Sequence, residues 1–221
     1  MNAGCSPVLQ RGFFSTSRAR PCLAAGAAAL CGVAHAGCFW SHIDHEVSFD
    51  DSGLWNPSAY RTVSNTLTIA NLAGAMWEGT QSRIGRTMWE AAEAQVLAEA
   101  ASLPVKPLFG RLRPAQAHDP CKWWQGSEGH SFPSEEAGVA AALVTPWVAE
   151  YAGSNPVAYG LLLLPAYIGT GRIRNGAHWQ TDVMAGWAIG GGLGWWEHSR
   201  HQPLIFSVMP GGAFVGLRRT F

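Results

Sequence analysis

Residues Thr87–Leu103 read TMWEAAEAQVLAEAASL. Ala, Glu, Leu, Met and Gln are the strongest helix formers, so this stretch predicts a helix, and Pro104 is its expected stop. Upstream, Arg61–Trp77 carries Val63, Leu67, Ala70, Leu72 and Ala75 near helical spacing, after a loop-rich stretch over Asp44–Tyr60. Gly79–Arg86 interrupts the two. Downstream, Pro107–Phe132 reads as a long loop broken by Pro114, Pro120 and Gly126. Further helices are expected from Ser134, from about Pro156 and from about His178. No strand run alternates with these helices, which predicts an all-α bundle rather than a doubly wound sheet. The final PLIFSVMPGGAFVGLRRTF, with β-branched and aromatic residues around Gly211 and Gly212, predicts a short hairpin or extended strap. GTG at Gly169–Gly171 and GGGLG at Gly190–Gly194 follow no strand and lack dinucleotide spacing, so they read as close helix packing or turns.

The bulk composition agrees with one globular domain: 221 residues, 48% hydrophobic and 14% charged. Residues 1–36 stand apart from it. Arg11, Arg18 and Arg20 precede the apolar CLAAGAAALCGV and the small-residue site AHA ending at Ala36, the pattern of a secretory signal. The globular domain is then expected to be 37–221, exported, with a periplasmic or outer-face location. Removing the leader takes away three arginines and no acids, so the count of 15 cations against 15 anions becomes 12 against 15, a net charge of −3. That balance points away from nucleic-acid partners. Cys38 and Cys121 remain as an even pair for which a disulfide is possible, with lipidation of Cys38 ranked second because His35 stands where a lipoprotein signal usually has Leu. A bilayer span needs about 20 apolar residues. The best candidate, Tyr151–Gly171, is broken by Asn155, Pro156 and Pro165, so the reading is a soluble or membrane-associated bundle.

Three clusters at loop-to-helix boundaries can carry chemistry. KPLFGRLRP holds Lys106, Arg111 and Arg113, cations suited to an oxyanion, although a solvated basic loop looks the same. HSFPSEEAGVAAALV places Ser134 as a helix cap, leaving N–H groups outward for an anion, but Glu135 and Glu136 follow at once. GRIRNGAHWQTDVMAG sets His178 and Asp182 four apart, where a carboxylate can orient an imidazole or simply form a capping or surface pair.

The order and spacing are more specific than any one cluster. Lys106, six residues, Arg113-Pro114; Pro133-Ser134; Arg172, five residues, His178, three residues, Asp182: this pattern resembles the type 2 phosphatidic acid phosphatase superfamily, which includes bacterial acid phosphatases and vanadium haloperoxidases. The resemblance implies a helical bundle in which Lys106, Arg113, Ser134 and Arg172 bind phosphate. It implies that His178 is the nucleophile, forming a phosphohistidine, and that Asp182 polarises it, with no metal or other cofactor and with vanadate as an inhibitor. Fixed cations around an equatorial plane of oxygens and a neutral imidazole suit a phosphoryl transition state.

Two departures stand out. The family's second motif usually reads Pro-Ser-Gly-His, and its third usually begins Ser-Arg; here they are Pro-Ser-Glu-Glu and Gly171-Arg172. The missing histidine protonates the departing oxygen in the family. Glu136 either takes over that role as a protonated acid, or both glutamates point to solvent and His130 or water supplies the proton, or the site only binds anions. The expectation is the acid role for Glu136 and a solvated role for Glu135. The leading function is an exported phosphatase acting on a phosphomonoester or a lipid (di)phosphate, with membrane association possible. The alternatives are a phosphate or lipid-headgroup binding protein that has lost turnover, and a vanadate-dependent haloperoxidase.

Overall fold

The computed structural model describes residues 42–200, with the backbone of two strands further on. The leader and Cys38 lie outside the described residues. Five helices carry the fold: α1 (Pro57–Glu78), α2 (Arg83–Phe109), α3 (Glu135–Tyr151), α4 (Leu163–Arg174) and α5 (Gln180–Arg200). Each start has a local cause. Pro57 sits at the first turn of α1 beneath Asn56, whose side chain accepts from Ser58 N at 2.8 Å, and Ser82 caps α2 through Gly85 N at 2.9 Å. The strands β1 (Ile205–Met209) and β2 (Gly212–Gly216) pair antiparallel, Ile205 opposite Gly216, as the hairpin reading of that segment expects.

The all-α expectation holds, and one boundary moves. Helix α2 does not stop at Pro104 but runs through Pro104 and Pro107 to Phe109, where Gly110 turns left-handed at φ 48° and donates to Lys106 O at 2.9 Å. A proline removes one backbone donor and one turn's bond, a loss that packing of the preceding helix can outweigh. The consequence is functional: Lys106 lies on the last turn of a helix, not on a loop.

Helix α3 is central, packed against α2, α4 and α5. Its core is built of small residues, with Ala91, Ala94, Ala98, Ala140 and Ala142 all at most 1% exposed. Alanine and glycine let helix axes approach closely. A Cβ on Gly190 would lie 1.9 Å from Gly138 O, and one on Gly186 would lie 2.2 Å from Ser134 O. The GGGLG stretch is therefore helix packing, as expected. This contact presses the start of α5 against the start of α3, so Ser134 N donates to Asp182 O at 2.9 Å. Among the described residues no helix is long and apolar enough to cross a membrane.

Candidate active site

The site forms where four chain ends meet: the last turn of α2 and the loop after it, the start of α3, the end of α4 and the start of α5. Its centre is His178, just ahead of α5 and 2% exposed. His178 Nδ1 lies 2.6 Å from Ser131 O, and Nε2 lies 3.1 Å from Arg172 Nη2. A carbonyl only accepts and a guanidinium only donates, so these partners assign the neutral tautomer with hydrogen on Nδ1 and a lone pair on Nε2. Burial pushes the imidazole well below its ordinary value, and Arg172, Arg113 and Lys106 push the same way against the Ser131 carbonyl.

Asp182 does not hold His178 through a close bond. Its Oδ2 is 3.9 Å from Nδ1. The carboxylate is engaged instead by Arg111 Nη1 at 2.5 Å, Ser131 Oγ at 2.5 Å and Trp179 N at 2.9 Å. Burial raises its pKa above the usual carboxylate range, while Arg111, Ser131 and the Trp179 amide oppose that; all are donors, which suits the ionised form. The link from Asp182 to His178 thus runs through Ser131, which gives Oγ to the one and its carbonyl to the other. His178 itself precedes α5, whose first turn Asp182 closes by reaching back to Trp179 N, as in a capping box.

Arg111 was one of three cations read from a single loop, but it is structural. Fully buried, it joins Asp44 Oδ2 at 2.5 Å to Asp182 and lies 4.3 Å from the Trp123 ring centroid. The other cations converge. Arg172, 5% exposed, has Nη1 3.2 Å from Tyr60 Oη and a buried Nε without a hydrogen-bond partner. Ser134 is fully buried; contrary to the capping expectation its side chain caps nothing, and its Oγ has no partner. Arg113 is partly buried, and its guanidinium is held below its ordinary value by burial and by Arg172. Buried donors without acceptors are uncommon, and two of them belong to residues expected to bind phosphate.

The two glutamates occupy the acceptor side. Glu136 Oε2 lies 3.1 Å from Arg172 Nη1, and its Oε1 accepts from Arg61 Nε at 3.2 Å. Glu135 is not solvated as expected, because Lys106 Nζ donates to it. His130, the other candidate proton donor, is exposed and bonds Ser127 O at 3.1 Å. The residues missed from the sequence are Tyr60, Arg61, Ser131 and Asp44. None belongs to a recognisable spacing, and only packing brings them in. Cys121 is disulfide-bonded, and every other cysteine lies outside the described residues.

Residues 87–206 match the family model of the PAP2 superfamily, more than half of the chain. The chain belongs to the PAP2 superfamily. A "Lipid A 1-phosphatase" of Porphyromonas gingivalis is 34% identical over 92 residues, 40% of this chain but 18% of the relative. The chain therefore spans a minor part of that relative's length. The crystal structure of Aquifex aeolicus LpxE is 20% identical with a TM-score of 0.42, covering 69% of this chain and 99% of that one. The Pro-Ser-Glu-Glu segment puts a carboxylate against Lys106 and another against Arg172, two of the three cations expected to bind phosphate.

Proposed function

We propose that this chain is a phosphatase acting on phosphate monoesters, with lipid phosphates the preferred class, through a phosphohistidine at His178. The observation that carries the reading is a buried neutral imidazole whose Nε2 lone pair meets Arg172 Nη2, together with two buried donors that have no partner, Ser134 Oγ and Arg172 Nε. Phosphate oxygens bind Arg113, Arg172, Ser134 and Lys106. The Nε2 lone pair attacks phosphorus, the phosphorus–oxygen bond to the alcohol breaks, and its electron pair stays on the departing oxygen. Glu136 protonates that oxygen. Two anions sharing one guanidinium favour a shared proton, so phosphate arrival next to the Arg172 pair supplies the acid form. Water then attacks the phosphohistidine, Glu136 takes its proton, and the phosphorus–nitrogen bond breaks to restore Nε2.

The lipid preference rests on the relative named above and on exposed apolar side chains along α1, among them Ile69 at 67%, Met76 at 71% and Trp77 at 90% exposed. They suit an interfacial position, and membrane association follows from that reading. The leader reading adds export, with a mature start at Gly37 and a Cys38–Cys121 bridge. Mass spectrometry of protein from the cell envelope checks both; a retained Met1 ends the export reading, and two free thiols end the bridge.

A second reading has one observation in its favour. Glu135 on Lys106 and Glu136 on Arg172 already neutralise two cations, as they would in a protein that binds phosphate groups weakly and turns nothing over. A phosphate-release screen across lipid phosphates, isoprenoid diphosphates and soluble monoesters separates the two. Release inhibited by vanadate supports the phosphatase; binding without release supports the other; bromide oxidation on vanadate loading points to a haloperoxidase.

A further inference from the structure

The loop that carries His178 is spanned by a segment from far earlier in the chain. Residues 42–52 run across the end of α4 and the start of α5: Asp50 N donates to Arg174 O at 2.9 Å, His45 N donates to Gln180 Oε1 at 3.1 Å, and Gln180 Nε2 returns to His45 O at 2.9 Å. This strap precedes every motif that marks the family, and it sends one charge into the interior. The side chain of Asp44 is fully buried. It accepts from Arg111 Nη2 at 2.5 Å, from Thr181 Oγ1 at 2.6 Å and from Thr181 N at 2.8 Å. All three partners donate, the arrangement of an ionised carboxylate.

An unbroken chain of hydrogen bonds runs from Asp44 to the reacting ring. Arg111 Nη1 donates to Asp182 Oδ1 at 2.5 Å, Ser131 Oγ donates to Asp182 Oδ2 at 2.5 Å, and Ser131 O accepts from His178 Nδ1 at 2.6 Å. Charge decides what this chain does. Arg111 against Asp182 alone is a neutral pair, which gives the imidazole little electrostatic support. With Asp44 on the other side of the guanidinium, one cation stands between two anions, and the group carries a net charge of −1. As Nε2 bonds to phosphorus the ring becomes cationic and its Nδ1–H a stronger donor, so a negative charge behind Nδ1 stabilises that state more than the neutral ring before it. All three side chains are fully buried, where salt screens charge least.

We infer that Asp44 is a positioning residue for His178: acting through Arg111, its charge leaves Asp182 free to support the ring as it takes on phosphorus. The inference rests on the phosphatase reading, so its test includes a readout that turnover does not enter. Asp44→Asn should lower kcat for alkyl and aryl esters alike by about 10-fold, the equivalent of one pKa unit of interaction with the charged form, and should change KM by less than about 2-fold, because no phosphate-binding cation is touched. In the proton NMR spectrum of the resting protein the His178 Nδ1–H signal, assigned by its loss in His178→Gln, should move upfield in Asp44→Asn. Thr181→Val removes one of the Asp44 bonds without changing charge, and should keep kcat within about 2-fold of wild type. Asp44→Asn combined with Arg111→Met restores the single negative charge at Asp182, so both kcat and the proton signal should return most of the way to wild type in a less stable protein. An unchanged kcat and proton signal in Asp44→Asn, an equal loss of kcat in Thr181→Val, or a folded double variant no faster than Asp44→Asn overturns the inference. Proton signals in the expected order from a wild type that hydrolyses no ester leave the network standing and remove the phosphatase reading instead.

Discussion

Replacing Glu136 by Gln should change binding and turnover in opposite directions. The carboxylate holds Arg172 Nη1 at 3.1 Å and reaches Arg61 at 3.2 Å, while the buried Nε of the same Arg172 waits without a partner. A phosphate oxygen that takes Nε lies across the guanidinium from the carboxylate, about 7 Å away, where two like charges repel by about 2 kcal/mol at an effective dielectric of 20. The Glu136 side chain is 33% exposed, so solvent and salt screen that repulsion. An effective ~1–2 kcal/mol remains, which corresponds to about 5- to 30-fold tighter binding of inorganic phosphate or vanadate to Glu136→Gln, at tenfold per ~1.4 kcal/mol. The same substitution removes the proton donor, so kcat for alkyl phosphates should fall by about 10²- to 10⁴-fold. Hydrolysis of p-nitrophenyl phosphate, whose oxygen departs without help, should change little. The assay is a phosphate inhibition constant measured alongside kcat for one alkyl and one aryl ester. An unchanged inhibition constant together with unchanged alkyl turnover refutes the reasoning. A fall in both binding and aryl turnover assigns Glu136 to holding Arg172 in place rather than to proton transfer.

Three further outcomes are expected. His178→Ala should abolish turnover without loss of helical circular dichroism, and acid-labile, base-stable phosphate label found on the wild type should be absent from it; label on both excludes His178 as the nucleophile. Arg111→Met strands two buried carboxylates, Asp44 and Asp182, and should lower stability in denaturant by about 3–5 kcal/mol, a large share of the ~5–15 kcal/mol typical of a domain. Adding Asp44→Asn should recover part of that loss, and no recovery places the damage elsewhere. The folded-state value of His178 lies below its unfolded one, so the unfolded chain binds the extra proton. Its contribution to stability is therefore complete above about pH 6.5 and is lost as pH falls through that value, a slope that His178→Gln should remove from a melt series between pH 7.5 and 5. The acid limb of activity should likewise lie well below pH 6.5, since the nucleophile stays neutral there; loss of activity centred at pH 6.5 or above contradicts the buried neutral imidazole.

How much of this was legible in the sequence depends on the range of the interaction. Helix content, the hairpin and the small-residue packing follow from propensity and period, which act within a few residues. Lys106, Arg113, Ser134, Arg172, His178 and Asp182 were recognisable because a shared spacing marks them. The stop at Pro104 was misread because local propensity favours ending a helix there, and the packing that carries α2 to Phe109 lies outside any local window.

Charge pairing was beyond the reach of the chain read in order. Arg111 and Arg113 are near neighbours of one type, yet one is sealed against Asp44 and Asp182 and the other is only partly buried, near Arg172 and Glu136. Whether Glu135 and Glu136 point to water or to cations cannot be read from a helix start, where acids are favoured in either case. The sequence by itself determined that carboxylates stand where the family has Gly and His. Only the tertiary structure decided that they face Lys106 and Arg172, 29 and 36 residues away, because packing of α3 against both α2 and α4 sets the start of α3 beside the last turns of those helices.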